Sequence, residues 1–419
     1  MNKPLFVISC PYDTYSGYGA RSRDLVKSII KSEKYDVKLL SQRWGNTPFG
    51  FCNENPEWEF LNEYQLEGQL PEKPKIWAQI SVPNEFQPVG EYNIGITAGM
   101  ETTLVDGSWV EGMNRMDLNL VSSEHSKQAF LNSVYERHNQ QGQVVGKVEI
   151  EKPIEVLFEG ANLETYLPDN SPCMIDFDIP ESFAYLFVGH WLPGNIGEDR
   201  KNVGLLVKAF YETFKNKRKK PALILKTASG SPSHMDRDSI IKKIKDIQFT
   251  VNSNDLPNVY LLHGDFSDEE MNSLYNHSKV KAMVSLTKGE GFGRPLLEFS
   301  LTKKPILTTN WSGHTDFLNP EFTTLMSGNL TKVDNSAVVP NMILAEAEWF
   351  SVNSAEVGHR LKDMFENYKK YVDGAKRQAY HSKTNFSWDK MDELLNEILD
   401  KNIPKFSTKV ELQLPNLTL

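Results

Sequence analysis

The sequence predicts an α/β protein made of two doubly wound parallel-sheet domains in tandem, with their loop-bearing edges facing a central cleft. Three observations carry this. Short apolar runs rich in strand formers alternate with stretches of helical spacing, the pattern of a parallel sheet covered by helices. The series breaks once, at Asp169–Glu181 (DNSPCMIDFDIPE), and then starts again. The 419 residues suffice for two or three domains of ordinary size.

The first series opens with PLFVISC, and the run from Gly17 to Ile30 then carries Leu25, Val26, Ile29 and Ile30 at helical spacing. DVKLL, KIWAQISV, YNIGITA and LNLVSS follow as strands, each bounded by turn residues or helical stretches. Beyond the break come AYLFVGH, a helix over Val203–Phe214, ALILKTA, VYLLHG, a helix around Glu269–His277, KAMVSL, a helix from Pro295, and KPILTTN. In such sheets the loops after the carboxyl ends of the strands build the site.

Composition narrows the class. With 39% hydrophobic and 24% charged residues, the chain is neither collagen-like, nor disordered, nor a coiled coil. Mean hydropathy is −0.45 and no apolar run reaches the roughly 18 residues a membrane helix needs. The apolar part of MNKPLFVISC is too short for a signal peptide and reads as a buried strand. Cys10, Cys52 and Cys173 cannot all pair and lack metal-ligand spacing, which predicts a reducing cytoplasm. The net charge of −9 argues against general nucleic-acid binding. One local basic run, Lys215, Lys217, Arg218, Lys219 and Lys220, with Lys242, Lys243 and Lys245 further on, reads as a solvated helix end or as a phosphate contact.

Three motifs carry chemistry. Ser16-Gly17-Tyr18-Gly19 lies between the first strand and the first helix, where glycines and free helix N–H groups suit a phosphate or simply make a tight turn. Arg200 and Lys201 precede the Val203 helix, an unfavourable place for cations unless an anion such as a diphosphate joins them. The most specific is Lys288-Gly-Glu-Gly-Phe-Gly-Arg-Pro-Leu-Leu-Glu298, a Gly-rich strand–loop–helix corner with Pro295 at a first-turn position. Its two carboxylates, Glu290 and Glu298, can address two parts of one polyhydroxylated ligand. A carboxylate accepts hydrogen bonds from both hydroxyls of a ribose diol.

At these residues the chain resembles the family 4 nucleotide-sugar glycosyltransferases, which have the GT-B fold of two facing Rossmann-like domains. The Glu-x7-Glu corner, Arg200-Lys201-Asn202 and the Gly-rich turn carry the resemblance. FEGANLETYLP is similar to that family's interdomain segment, and FSWDKMDELL to its final helix, which returns to pack on the first domain. SQRWGNTP, VPNEFQP and GITAGMETT resemble segments of glycosyltransferases encoded by large tailed phages.

The resemblance implies an acceptor-side domain over 1–168, a linker at 169–181, a donor-side domain over 182–380, a returning helix at 381–405 and a tail at 406–419. It implies retaining transfer from a nucleoside diphosphate sugar, with no cofactor and no bound metal. Arg200, Lys201 and the Gly17–Gly19 amides, with Tyr18 between them, would stabilise the leaving diphosphate. Glu298 would hold the ribose, and Glu290 with the Gly291-Phe292-Gly293 backbone would orient the sugar. His190 stands where many members have Arg, so its phosphate role is open. Glu101 is the candidate for contacting the acceptor hydroxyl, or else a helix-start carboxylate. His125 lies on the acceptor side, or is structural. The acceptor expectation is a hydroxymethylated pyrimidine in phage DNA, with glycan, lipid and small-molecule acceptors left open and no membrane anchor. A nucleotide-sugar epimerase and a non-catalytic sugar-nucleotide or nucleic-acid binding module are the competing functions.

Overall fold

The computed structural model describes residues 3–70, 72–167, 174–230 and 233–406. Cys173, the first part of the expected linker and the tail beyond Phe406 lie outside the described residues.

The first domain runs β1 (Leu5–Cys10), α1 (Gly17–Lys31), β2 (Asp36–Ser41), α2 (Phe51–Glu54), β3 (Ile76–Ile80), β4 (Tyr92–Ile96), α3 (Gly107–Asn114), β5 (Leu118–Val121), α4 (Glu124–Asn132), the hairpin β6 (Tyr135–His138) and β7 (Val144–Val148), and β8 (Ile154–Val156). Its six-stranded sheet has the order β2-β1-β3-β4-β5-β8, and every pairing is parallel. All six residues of β1 are buried, which is why LFVISC is a continuous apolar run: a central parallel strand is covered on both faces. Helix α1 begins where it does because Ser16 Oγ accepts the Gly19 N–H at 2.9 Å.

The second domain runs β9 (Ala184–Val188), α5 (Val203–Phe214), β10 (Ala222–Lys226), α6 (His234–Phe249), β11 (Val259–Leu262), α7 (Asp268–Asn276), β12 (Val280–Val284), α8 (Arg294–Ser300), β13 (Ile306–Thr309), β14 (Thr324–Met326), the hairpin β15 (Gly328–Lys332) and β16 (Glu348–Val352), then α9 (Ser354–Glu366), α10 (Lys369–Asn385) and α11 (Trp388–Asn402). Its sheet order, β11-β10-β9-β12-β13-β14, is that of the doubly wound nucleotide-binding fold. The order reverses between β9 and β12, so a crevice opens outside their carboxyl ends. The loops after these two strands carry Arg200–Lys201 and Glu290.

Helix α11 turns away from the second domain. Met391, Leu395, Ile398 and Leu399 are buried in the core of the first sheet, beside Leu25, Val26 and Ile29 of α1. The crossing is pinned where Ala161 N–H donates to Phe386 O at 2.8 Å and Trp388 N–H donates to Ala161 O at 3.0 Å.

Topology also places the basic run. Helix α5 starts at the cleft edge of its sheet and runs for 12 residues, about 18 Å, towards the opposite edge. Lys215–Lys220 lie there, between the end of α5 and the start of β10, so they take no part in the cleft. Lys215 pairs with Glu212 at 2.6 Å and Lys220 with Asp255 at 2.5 Å.

Because α11 completes the first domain's core, Leu395→Ala is expected to cost about 2–5 kcal/mol, the range for emptying a buried leucine site. Urea unfolding followed by tryptophan fluorescence measures it. A loss below about 0.5 kcal/mol would mean that α11 only lies on the surface.

Candidate functional site

The site grows from the β9–β12 crevice. After β9 the chain loops out and returns at Asp199, whose Oδ2 accepts the Val203 N–H at 3.0 Å and starts α5. Asp199 thereby supplies the negative charge the helix start wants, and Asn202, left-handed at φ 57°, turns the preceding residues back towards β12. Lys201 Nζ reaches both oxygens of Glu290, at 2.5 and 2.6 Å. Arg200 Nη1 lies 3.1 Å from Glu101 Oε1 of the other domain, 3.9 Å from Glu290 Oε2, and donates to Gly289 O at 3.3 Å.

So the anions that the two cations call for are, in this structure, the protein's own carboxylates. Burial pushes the Glu290 carboxyl up, but Lys201 and Arg200 outweigh it and hold it below the usual range. At Lys201, burial and the adjacent Arg200 outweigh Glu290, so its ammonium is held below its usual pKa. An additional anion beside Lys201 would relieve that.

Glu298 sits in a second buried network. Arg294 Nε donates to its Oε1 at 2.9 Å, and the Tyr275 hydroxyl donates to its Oε2 at 3.1 Å. Arg294 Nη1 also reaches Asp24 Oδ2 of α1, in the first domain, at 2.9 Å. Burial pushes the Glu298 carboxyl up to about 7, with Asp268 adding to the rise and Arg294 and Tyr275 opposing it. This network is the setting of Glu298.

The remaining candidates divide. Gly17 faces open space, whereas a Cβ on Gly19 would lie 2.3 Å from Thr14 O. Gly19 is therefore a glycine of the tight turn, the second of the two readings of this motif, and its N–H is taken by Ser16. The Tyr18 hydroxyl bonds Thr97 Oγ1 at 2.9 Å and accepts the Ala98 N–H at 3.2 Å, tying α1 to the end of β4. Phe292 is a core residue, its ring tilted against that of Phe317 with centroids 4.9 Å apart, so only its backbone can face a ligand. The N–H groups of Gly291, Phe292 and Gly293 donate no hydrogen bond among the described residues. His190 is exposed, with Nδ1 3.3 Å from Ala228 O. His125 is brought to the seam, its ring 4.5 Å from that of Trp311, and burial holds its pKa down to about 4, with His314 adding to the effect.

The two domains meet backbone to backbone. A Cβ on Gly289 would stand 1.8 Å from Glu101 O, and one on Gly291 would stand 2.4 Å from Ala98 O. Gly291 O accepts from Ser123 Oγ at 2.5 Å and Ser122 Oγ at 3.1 Å. Sequence reading missed Asp24, Tyr275 and Arg294. Only Arg294 left a local signal, its i,i+4 spacing to Glu298.

No protein-family model matches the sequence, and no curated protein is detectably similar to it. Solved structures are similar in fold. A glycosyltransferase from Rickettsia africae ESF-5 matches with TM-score 0.64 at 15% identity, covering 96% of this chain and 99% of that one. A sucrose-phosphate synthase from Thermosynechococcus elongatus matches with TM-score 0.60 at 12% identity over 96% and 99% of the two chains. Anabaena HepE, in complex with UDP-glucose, matches with TM-score 0.55 at 12% identity over 95% and 100%. The fold is GT-B, two facing Rossmann-like domains.

Gly289→Ala is expected to force the seam apart, since the methyl meets a backbone carbonyl that cannot swing aside. Small-angle scattering should show a larger radius of gyration in the variant. An unchanged profile would mean that the domains stand apart in solution already.

Proposed function

We propose that this chain is a glycosyltransferase that moves a sugar, with retention, from a nucleoside diphosphate sugar to an acceptor hydroxyl. One observation carries the reading: Arg200 and Lys201 meet Glu290 across the strand-order reversal, where doubly wound sheets take phosphates and nucleotides. The GT-B fold supports it, as does the UDP-glucose bound by the structurally similar HepE.

We assign the donor to the 182–380 domain and the acceptor to the 1–168 domain, with the 381–405 segment returning to the latter. The diphosphate enters beside Lys201 and Arg200, which stabilise the charge that grows on it as the glycosidic bond breaks. Gly17 and the unused N–H groups of Gly291, Phe292 and Gly293 add neutral donors. Glu298 exchanges the Arg294 and Tyr275 contacts for the ribose hydroxyls. Glu290, released from Lys201 as the phosphate arrives, orients the sugar, while Glu101 faces the acceptor hydroxyl. In same-face transfer the leaving phosphate oxygen takes the acceptor's proton, which suits a site where both carboxylates nearest the cations are held in ion pairs.

The acceptor we propose from the phage-like segments is a hydroxymethylated pyrimidine in DNA, extruded to reach the seam. No helix among the described residues is long and apolar enough to cross a bilayer. Cys10 and Cys52 are buried free thiols, in keeping with a reducing compartment.

A mass-spectrometric screen of sugar nucleotides, with and without hydroxymethylated DNA, glycans and lipids, tests the function. Glycosylated acceptor is expected; donor consumption without acceptor and with an isomerised sugar would identify an epimerase instead. Because the charge on the diphosphate grows in the transition state, Lys201→Ala should lower kcat more than it weakens donor binding. Equal losses, or none, would put Lys201 outside the reaction.

Glu298→Gln should weaken nucleotide binding by roughly 1.5–3 kcal/mol, the scale of hydrogen bonds to a charged group. The pH dependence has a definite sign. A carboxyl raised from 4.5 to about 7 is protonated below that point and loses acceptor capacity, so nucleotide affinity should fall as pH drops through 7. Calorimetric titration between pH 6 and about 8 should show this slope in the wild type and lose it in Glu298→Gln; parallel slopes would assign the titration elsewhere.

A further inference from the structure

His314 lies in the loop after β13, fully buried, and none of the roles above uses it. Its Nε2 is 2.7 Å from Thr309 O. A carbonyl oxygen can only accept, so Nε2 carries the proton and Nδ1 presents a bare lone pair. Burial pushes the imidazole pKa down, which keeps the ring neutral. Nδ1 is nevertheless buried with no hydrogen-bond partner. An orphaned acceptor of this kind costs free energy unless something fills it.

The surroundings point to what fills it. A Cβ added to Gly293 would stand 3.1 Å from His314 Cβ and 3.6 Å from Glu290 Cγ, so both side chains leave their backbones around the same bare glycine, and the Glu290 charge acts on the His314 ring. The His314 loop is bound to the Gly-rich loop: Gly313 N–H donates to Glu290 O at 3.0 Å, and Glu290 N–H donates to Ser312 Oγ at 2.9 Å. From the other domain, His125 lies close enough for the His314 ring to act on its charge, and it has its own orphaned nitrogen, Nε2. Arg200 and Lys201 take the phosphates in the reading above, so what lies beyond them, against Glu290 and His314, is the sugar.

We infer that His314 is a specificity residue, its Nδ1 accepting the hydrogen of one hydroxyl of the transferred sugar. The inference rests on the nucleotide-sugar reading. A neutral acceptor that cannot donate recognises a hydroxyl at that ring position and rejects fluorine, which offers no hydrogen. Thr309 O is what fixes this polarity, by holding the tautomer.

Two variants separate recognition from support. His314→Gln places an amide nitrogen near the former Nε2, keeping the bond to Thr309 and removing the Nδ1 acceptor. His314→Asn places an oxygen near the former Nδ1 and gives up the bond to Thr309. UDP-glucose, UDP-N-acetylglucosamine and GDP-mannose serve as first probes, and the one turned over fastest is compared with its monofluoro analogues. The wild type should prefer hydroxyl over fluorine at one ring position by about ten- to a hundredfold in kcat/KM. His314→Gln should lose that preference and His314→Asn should retain it, while UDP or GDP alone binds all three proteins equally. Unaltered discrimination in a folded His314→Gln, or a wild type with no such position, would overturn the inference and leave the glycosyltransferase intact. Failure of the wild type to bind any nucleoside diphosphate or sugar nucleotide would overturn both.

Discussion

The Lys201–Glu290 ion pair is the contact on which the geometry of the cleft depends. Its members come from loops after β9 and β12, strands that are neighbours only because the sheet order reverses between them. Burying two charges costs several kcal/mol per ion before their attraction repays it, so such a pair is weak evidence of stabilisation. Its effect here is to hold two loops in register. Backbone bonds strengthen that hold: Lys288 N–H donates to Arg200 O at 2.7 Å, and Lys288 Nζ lies 3.6 Å from Glu198 and 2.9 Å from Ser351. A third element, the β15–β16 hairpin, is thus tied to the same corner.

The Glu298 network adds a link between the domains. Arg294 is shared by Glu298 on its own helix and Asp24 on α1, and Asp268 lies close enough to raise the Glu298 carboxyl further. Asp24 is also faced by Arg21 and Arg23, whereas Arg294 is the guanidinium that bonds Glu298, so burial wins at Glu298. Whatever takes the Glu298 oxygens competes with Arg294, and Arg294 is held by the opposite domain. Occupancy of Glu298 and apposition of the domains therefore draw on one side chain, which makes the two equilibria interdependent.

Legibility followed the range of the interaction. The central strands and the α5 helix were legible because a strand covered on both faces is a continuous apolar run and an amphipathic helix has a fixed period. The Glu290–Glu298 spacing was legible because strand, Gly-rich loop and Pro295 fix a corner locally. What could not be read depends on distant partners. Nothing near Glu298 in sequence announces Tyr275, and nothing near Arg294 announces Asp24. Gly19 looked like a phosphate glycine because a glycine required by Thr14 O leaves the same trace. Phe292 was placed at the ligand by its neighbours, although its ring faces the core. The Lys215–Lys220 run reads as a solvated helix end from its charge alone, but the edge of the sheet it reaches is set by helix direction. The short strands β8 and β14, three residues each, fall below any periodic signal.

The composition of the seam bears on how the domains move. At its centre the contacts are polar, Gly291 O with the Ser122 and Ser123 hydroxyls and the Arg200 guanidinium with the Glu101 carboxylate, all groups that water can satisfy if they part. Exchanging such hydrogen bonds for bonds to water is nearly neutral, about 0.5–1.5 kcal/mol each. The flanks differ. On one side Leu104 packs against the Val333, Ala337, Leu344, Ala347 and Trp349 cluster, and Thr103 and Glu348 exchange two hydrogen bonds at 2.9 Å. On the other, the Phe158 and Phe386 rings lie 5.0 Å apart beside the α10–α11 crossing. Separating apolar surface costs about 25 cal/mol for each Å² exposed, so the flanks resist parting more than the centre does. A seam that is polar in the middle and apolar at its edges opens most cheaply where Glu101, Arg200, Lys201 and Glu290 meet, which is where the proposed donor and acceptor would enter.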